Sequence, residues 1–274
     1  MQQSSLTSAS PEGPTANLRL LLVTCAYPPY GSGAEKQAKV LATALARRGV
    51  AVTVLTSRFG SEPSYEVQDS VTIRRLPFLR RLPIIGGKVR WITLFALVAA
   101  YVAINRSRFD VLQAQLGDQV TGVAVGVAKA VGLPSVFRLA AGGEHDGIRL
   151  LRGLPIGTLG PWLAPLLLRA DRFVVLNERT AAGLPSGIDR ERVDHIPNGI
   201  DLPTGEWQLN DLSARRQELG LTGEGPIIFA AGRLNVQIGF DVLFRAISLV
   251  CGIDRYIAGE GDDKEKLAEM RRVK

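Results

Sequence analysis

Two cysteines, Cys25 and Cys251, are all that the 274 residues contain, so neither a disulfide framework nor a cysteine-built metal cluster organises the fold. Histidine is equally scarce: His145 and His195 are too few for a histidine-rich metal centre, and no metal is expected. The thiol usage points to a reducing, cytoplasmic setting. Aromatic residues make up 6% of the chain and are not interleaved with basic ones as in RNA-reading modules, so no nucleic-acid partner is expected. The longest apolar run, WITLFALVAAYVAI from Trp91 to Ile104, falls short of the roughly 20 residues that cross a bilayer. Residues 1–17, MQQSSLTSASPEGPTAN, lack an apolar h-region and a basic n-region and read as a disordered tail.

What is present is globular composition, 46% hydrophobic and 22% charged, in a length that suits one large or two ordinary domains. A net charge of +7 favours anionic partners without choosing among phosphorylated substrates, acidic lipid and nucleic acid.

The chain is organised around residues 18–56. Leu18 to Val23 is a strand buried on both faces, Pro28, Pro29, Gly31 and Gly33 forbid helix until about Ala34, and Ala38, Leu41, Ala42 and Leu45 then recur at helical spacing. Gly49 suits the helix end, and Val50 to Leu55 is a second strand, parallel to the first by the right-handed crossover rule. Glycines at 31 and 33 let the backbone approach a ligand, and the first amides of the helix present partial positive charge to a phosphate. The plainer alternative is a helix entry in an ordinary α/β domain. Lys36 replaces the third glycine of a dinucleotide fingerprint, and Leu55-Thr56-Ser57-Arg58 offers no acidic residue to a ribose, which leaves NADP through Arg58 as the remaining dinucleotide alternative.

Beyond this unit, Tyr65 to Leu76 alternates as a strand or hairpin carrying exposed arginines. Arg74, Arg75, Arg80, Arg81, Lys88 and Arg90 then surround apolar residues ahead of the Trp91–Ile104 run. Two readings stand side by side: a buried helix preceded by a basic loop, or an interfacial segment pressing onto anionic lipid at the inner face of the membrane. Strands follow at Phe109 to Gln115 and Leu133 to Leu139, the second opening into a loop with Glu144, His145 and Asp146. Ligands of open α/β sheets bind at that strand edge, which makes His145 and Asp146 catalytic candidates and Glu144 an acceptor-side candidate; a surface loop without chemistry is the alternative. A strand at Ala170 to Asn177 and the segment Glu191 to Asp201 complete a first domain, 18–202, in which His195 reads as structural. Residues 203–224 read as a linker, and from 225 a second Rossmann-like unit begins with Ile227 to Ala231 and the turn Gly232-Arg233-Leu234-Asn235.

Four stretches in order, YPPYGSGAEKQAKVLATALARRGVAVTVLT, ADRFVVLNERTAAGL, ERVDHIPNGIDL and AAGRLNVQIGFDVLFRAI, resemble the motifs of family 4 glycosyltransferases of GT-B fold. The resemblance implies two Rossmann-like domains, the first binding acceptor and the second a nucleotide-sugar, UDP- or GDP-linked, with no separate cofactor. It implies transfer with retention onto a glycan or lipid-linked acceptor. Gly31, Gly33, Gly232 and Arg233 become donor-phosphate candidates, and Glu35 and Lys36 acceptor-side candidates. A lysine that the family places five residues after its arginine is Ile238 here, and histidines frequent in the family are Gln113 and Gln115. The family's paired-glutamate motif is not found after Glu260. The expectation is therefore a first domain that is complete and a second that is truncated, with impaired activity or a second chain completing it. A non-catalytic remnant or partner subunit that binds acceptor or membrane is the alternative.

Overall fold

A computed structural model describes residues 17–31, 33–78, 87–139, 147–153, 160–200, 212–221, 225–235, 238–250 and 253–270. It divides into two compact units, Met1–Leu202 and Pro203–Lys274.

In the first unit β1 (Arg19–Val23) runs into α1 (Gly33–Arg47) and β2 (Ala51–Arg58). Leu21, Leu22 and Val23 are fully buried, as a strand covered on both faces requires, and each such side chain contributes about 1.5–3 kcal/mol. α1 ends because Gly49 takes φ 84°, which lets the Val50 N–H reach the Leu45 carbonyl at 3.1 Å and the Gly49 N–H reach Ala46 at 3.0 Å. A hairpin follows, β3 (Tyr65–Gln68) and β4 (Val71–Pro77), closed by Asp69 and Ser70 at φ 51° and 63°, the positive pair that matches strand twist. Then come α2 (Gly87–Ile104), β5 (Val111–Gln115), α3 (Gln119–Ala130) and β6 (Ser135–Leu139). α4 (Gly147–Gly153), α5 (Gly160–Leu167), β7 (Arg172–Val175), α6 (Glu178–Ala181) and β8 (Val193–His195) complete it.

The strands form one sheet in the order β3-β4-β2-β1-β5-β6-β7-β8, parallel throughout except for β3. The chain builds outward from β1 through β2 to β4, then returns to place β5 on β1's other side, so the strand order reverses between β1 and β5. One face carries Leu20, Leu22, Val52, Val54 and Ile73 against Ala38 and Ala42 of α1. The other carries Leu21, Val23, Leu112, Ala114 and Phe137 with Leu94, Val98 and Val102 of α2 and Ala124 and Ala128 of α3. Gly122 of α3 is small because α5 touches it: a Cβ there would stand 3.0 Å from the Leu163 carbonyl oxygen.

α2 decides between the two readings of the Trp91–Ile104 run as far as packing goes. Leu94, Phe95, Val98 and Val102 are core, while Val89 and Ile92 are about half exposed. No helix among the described residues is long and apolar enough to cross a membrane. The hairpin expectation holds but its arginines differ: Arg74 is exposed, whereas Arg75 is buried, because Val71, Ile73 and Arg75 share the inward face of β4.

The second unit contains α7 (Leu212–Glu218), β9 (Ile227–Ala231), α8 (Phe240–Ser248), β10 (Asp254–Ala258) and α9 (Lys264–Met270). β9 and β10 pair in parallel, and Leu234, Phe240 and Leu267 form a small core with Leu243 and Ile257 beside it. Phe229 of β9 is 66% exposed.

Candidate functional site

The carboxyl ends of β1 and β5, where strand order reverses, are the part of such a sheet that can receive a ligand, since loops diverge there and leave backbone amides uncovered. The β1 loop is anchored at both ends. The Thr24 and Ser57 N–H groups reach the Leu55 and Cys25 carbonyls at 3.1 Å, and the Thr56 hydroxyl donates to Cys25. Arg75 braces the middle: its guanidinium donates to the carbonyl of Pro28 at 3.2 Å, to that of Pro63 at 3.3 Å and to Glu66 Oε1 at 2.7 Å. With its side chain 3% exposed, this ion pair is sheltered from solvent on the arginine side. Sequence reading missed Arg75 as a support of the loop; the period-2 pattern Val71, Ile73, Arg75 is the signal that reveals it.

The two glycines of the loop are small for different reasons. Gly31 takes φ 113°, and a Cβ on it would come within 2.6 Å of the Glu35 Cβ, so its place is set by α1 folding back on the loop. Gly33 opens α1, and among the described residues nothing lies within 4 Å of where its Cβ would stand. Local packing accounts for Gly31; Gly33 is the position at which the backbone is open to approach. Glu35 is half-buried in the first turn of α1 and Lys36 is exposed beside it, so the helix start carries one charge of each sign.

At the β5 end, Asp118 caps α3, accepting the Thr121 N–H at 2.8 Å while the Thr121 hydroxyl accepts the Asp118 N–H at 2.9 Å. Desolvation pushes the Asp118 carboxyl up to about 6, against the pull of hydrogen bonds from Thr121, Val120 and Cys25. That last bond joins the β5 end to the β1 loop. Burial also raises the Cys25 thiol well above its usual range, which leaves a protonated, unreactive sulfur.

Gln115 and Arg138 are cross-strand partners on the α1 face of the sheet, both nearly inaccessible. Gln113 Nε2 donates to Gln115 Oε1 at 3.2 Å, and Arg138 Nη2 donates to Asn198 Oδ1 at 2.7 Å. Gln115 Nε2 and Arg138 Nε have no partner among the described residues, and burial depresses the Arg138 pKa. Arg138 was not legible as a site residue, because an arginine between Phe137 and Leu139 reads as the outward position of a strand.

Glu144, His145 and Asp146 lie outside the described residues, as do Arg80 and Arg81. His195 is on β8, half-exposed, with its Nδ1 3.8 Å from Glu178 Oε1. Among the described residues no group of histidine, cysteine and acidic side chains is arranged to hold a metal.

In the second unit the turn after β9 is built by close backbone approach. The Gly232 N–H donates to Ala258 and the Leu234 N–H to Glu260, both at 3.0 Å. Gly259 and Gly261 must be glycine, since a Cβ on either would overlap the carbonyl oxygen of Gly232 or Leu234. Gly232 has Phe240 and Ile238 side chains 3.4 and 3.6 Å from its Cβ position. Arg233 is exposed and makes no ion pair among the described residues; Ile238 is 56% exposed. The turn thus presents one guanidinium unpaired among the described residues and one apolar side chain.

The model of Glycosyltransferase Family 4 matches residues 31–203, well over half of the chain. The D-inositol 3-phosphate glycosyltransferase of Segniliparus rotundus is 27% identical over 245 residues, covering 80% of this chain and 51% of that protein. Its namesake from Nocardia farcinica is 37% identical over 83 residues, 30% of this chain and 18% of its own length. The chain therefore spans about half, or less, of the curated relatives it matches. Among solved structures, Anabaena HepE in complex with UDP-glucose superposes with a TM-score of 0.64 at 17% identity, over 92% of this chain and 64% of that one. Sucrose-phosphate synthase from Thermosynechococcus elongatus gives 0.67 at 18%, over 94% and 66%. These likenesses show the α/β fold to be of GT-B type, and the family match together with them identifies the chain as a member of glycosyltransferase family 4.

Proposed function

We propose that this chain takes part in transferring a sugar from a UDP- or GDP-linked donor, with retention, to a glycan or lipid-linked acceptor. The observation that carries the reading is Gly33: an open glycine at the start of a 15-residue helix, at the sheet's switch point, in a family 4 chain. Amides at that helix start favour a phosphate, and Lys36 adds a mobile positive charge. On the second unit, Gly232 and Arg233 are the proposed donor-diphosphate residues, which would stabilise charge that builds on the leaving group. His145 and Asp146 are the proposed acid-base or hydroxyl-orienting pair, with Glu35 and Glu144 on the acceptor side. The acceptor of the inositol-phosphate relatives carries a phosphate, which fits the net charge of +7.

Ile238 favours a second reading, in which the chain binds acceptor while donor chemistry is weak. An apolar side chain stands where the family resemblance puts a phosphate-holding lysine, and one arginine has to serve alone. Peripheral contact with anionic membrane, through Lys88 and Arg90 beside the exposed Val89 and Ile92, is part of the proposal and predicts vesicle binding that weakens with salt. Incubation of the purified chain with UDP- and GDP-linked sugars and inositol phosphate or lipid-extract acceptors tests the transfer directly. Release of nucleotide diphosphate coupled to a glycosylated product supports the first reading; acceptor binding without turnover supports the second.

A further inference from the structure

A pocket of about 400 Å³ lies at the amino-terminal edge of the large sheet, the opposite end of the strands from the glycine loop. Strand register places its floor. Arg19 pairs with Ala51, Thr53 with Thr72, and Tyr65 with Arg74, so the residues alternate onto one face of four adjacent strands. The last turn of α2 and the segment leading to β5 close the other side with Tyr101, Ser107, Arg108 and Phe109.

The charges here are unevenly matched. Arg19 is neutralised by Asp110, at 2.6 Å. Arg74 has its guanidinium stacked over the Tyr65 ring, 4.2 Å from the centroid, and the Arg108 guanidinium donates to the neutral Asn105 side chain at 3.3 Å. Neither makes an ion pair with an acidic group among the described residues. Both line the pocket with the Tyr101 phenol, on which their charges act against the upward push of burial. Thr53, Thr72 and Ser107 add hydroxyls to the same wall.

We infer that this pocket binds a small hydroxylated organic phosphate, its phosphate between Arg74 and Arg108 and its body against Thr53, Thr72 and Tyr101. A guanidinium stacked on a phenol ring is pre-oriented, so it loses little freedom when it grips an oxyanion. The volume suits a ligand the size of a sugar phosphate. Because the pocket lies at the strand edge away from the glycine loop, it is a site separate from donor or acceptor chemistry there.

Glucose 6-phosphate, inorganic phosphate, glucose and phosphatidic acid vesicles serve as probes, titrated by calorimetry against the full chain. Glucose 6-phosphate is expected to bind, glucose not, and R74Q and R108Q each to weaken the sugar phosphate about tenfold. Vesicle binding lost in the same variants would assign the phosphate to a lipid headgroup; binding of the soluble sugar phosphate alone would assign it to a free metabolite. Hydrogen exchange on the wild type removes dependence on variant folding: glucose 6-phosphate should slow exchange in residues 65–74 and 101–109. Undiminished affinity in a folded R74Q/R108Q double variant, or protection confined to other segments, would overturn the assignment.

Discussion

Arg138 and Asn198 are sixty residues apart, and the arginine's Nη2 meets the asparagine's Oδ1 at 2.7 Å, fastening the end of β6 to the Pro197-Asn198-Gly199 segment that follows β8. Arg138 is 5% exposed and Asn198 is its side-chain partner among the described residues, so the contact compensates a charge taken out of water. Asn198→Ala should destabilise the first unit by about 1–3 kcal/mol, and Asn198→Asp, which restores an acceptor, by less. Denaturant unfolding followed by tryptophan fluorescence checks the order of the two variants.

Gly31→Ala should cost about 1–3 kcal/mol, since φ 113° is strained for any side chain and the new methyl meets Glu35. Adding Glu35→Gly removes the collision but not the strain, so the double variant should recover only part of the loss. Thermal midpoints of the three proteins decide whether the loop is held as described. Gly33→Ala is the contrasting case: its open surroundings predict little loss of stability, so any fall in nucleotide binding would belong to the ligand.

Asp118 gives a pH dependence of a particular sign. Its folded carboxyl titrates near 6 and its unfolded one near the usual value of about 4, so between them the native state holds the extra proton. Its contribution to stability is therefore full below about pH 4, declines as pH rises through 6, and is level above. Asp110 and Asp194, held down by Arg19 and Arg172, contribute in the opposite sense, and their share is lost as pH falls. Subtracting the stability profile of Asp118→Ser, a variant that keeps a helix-capping oxygen, isolates the Asp118 slope. A flat difference between pH 4 and 7 would contradict it.

How far the fold was readable follows from where each residue's reason lies. Leu20 to Val23 and the Gly49 helix end carry local signals, an unbroken apolar run and a left-handed glycine, and the structure has both. The β3–β4 hairpin was readable as alternation, but the burial of Arg75 depends on Pro28, Pro63 and Glu66 arriving from three other places. Arg138 is the same case, its partner lying sixty residues on. Gly259 and Gly261 look like ordinary turn glycines, and only the crossing of the Gly232–Leu234 backbone shows why no side chain fits. The four motifs made the family legible because their order survives; the chemistry of Glu144, His145 and Asp146 falls outside the described residues.

Gly259→Ala should accordingly loosen the second unit by about 1–3 kcal/mol, as an overpacked backbone contact does, while leaving the first unit unchanged. Amide exchange resolved by segment separates the two, with faster exchange expected in 227–258 alone.

On the second unit the donor reading rests on Arg233, and Ile238 weighs against it. Ile238 packs 3.6 Å from the Gly232 Cβ position and is 56% exposed, so a lysine there can lay its stem over the glycine and carry its ammonium to solvent. Calorimetric titration of UDP and GDP into the wild type, Arg233→Ala and Ile238→Lys is the most direct test. One of the two nucleotides should bind, Arg233→Ala should weaken it about tenfold or more, and Ile238→Lys should tighten it. Binding unaltered by both substitutions would contradict the placement of the donor phosphates at this turn.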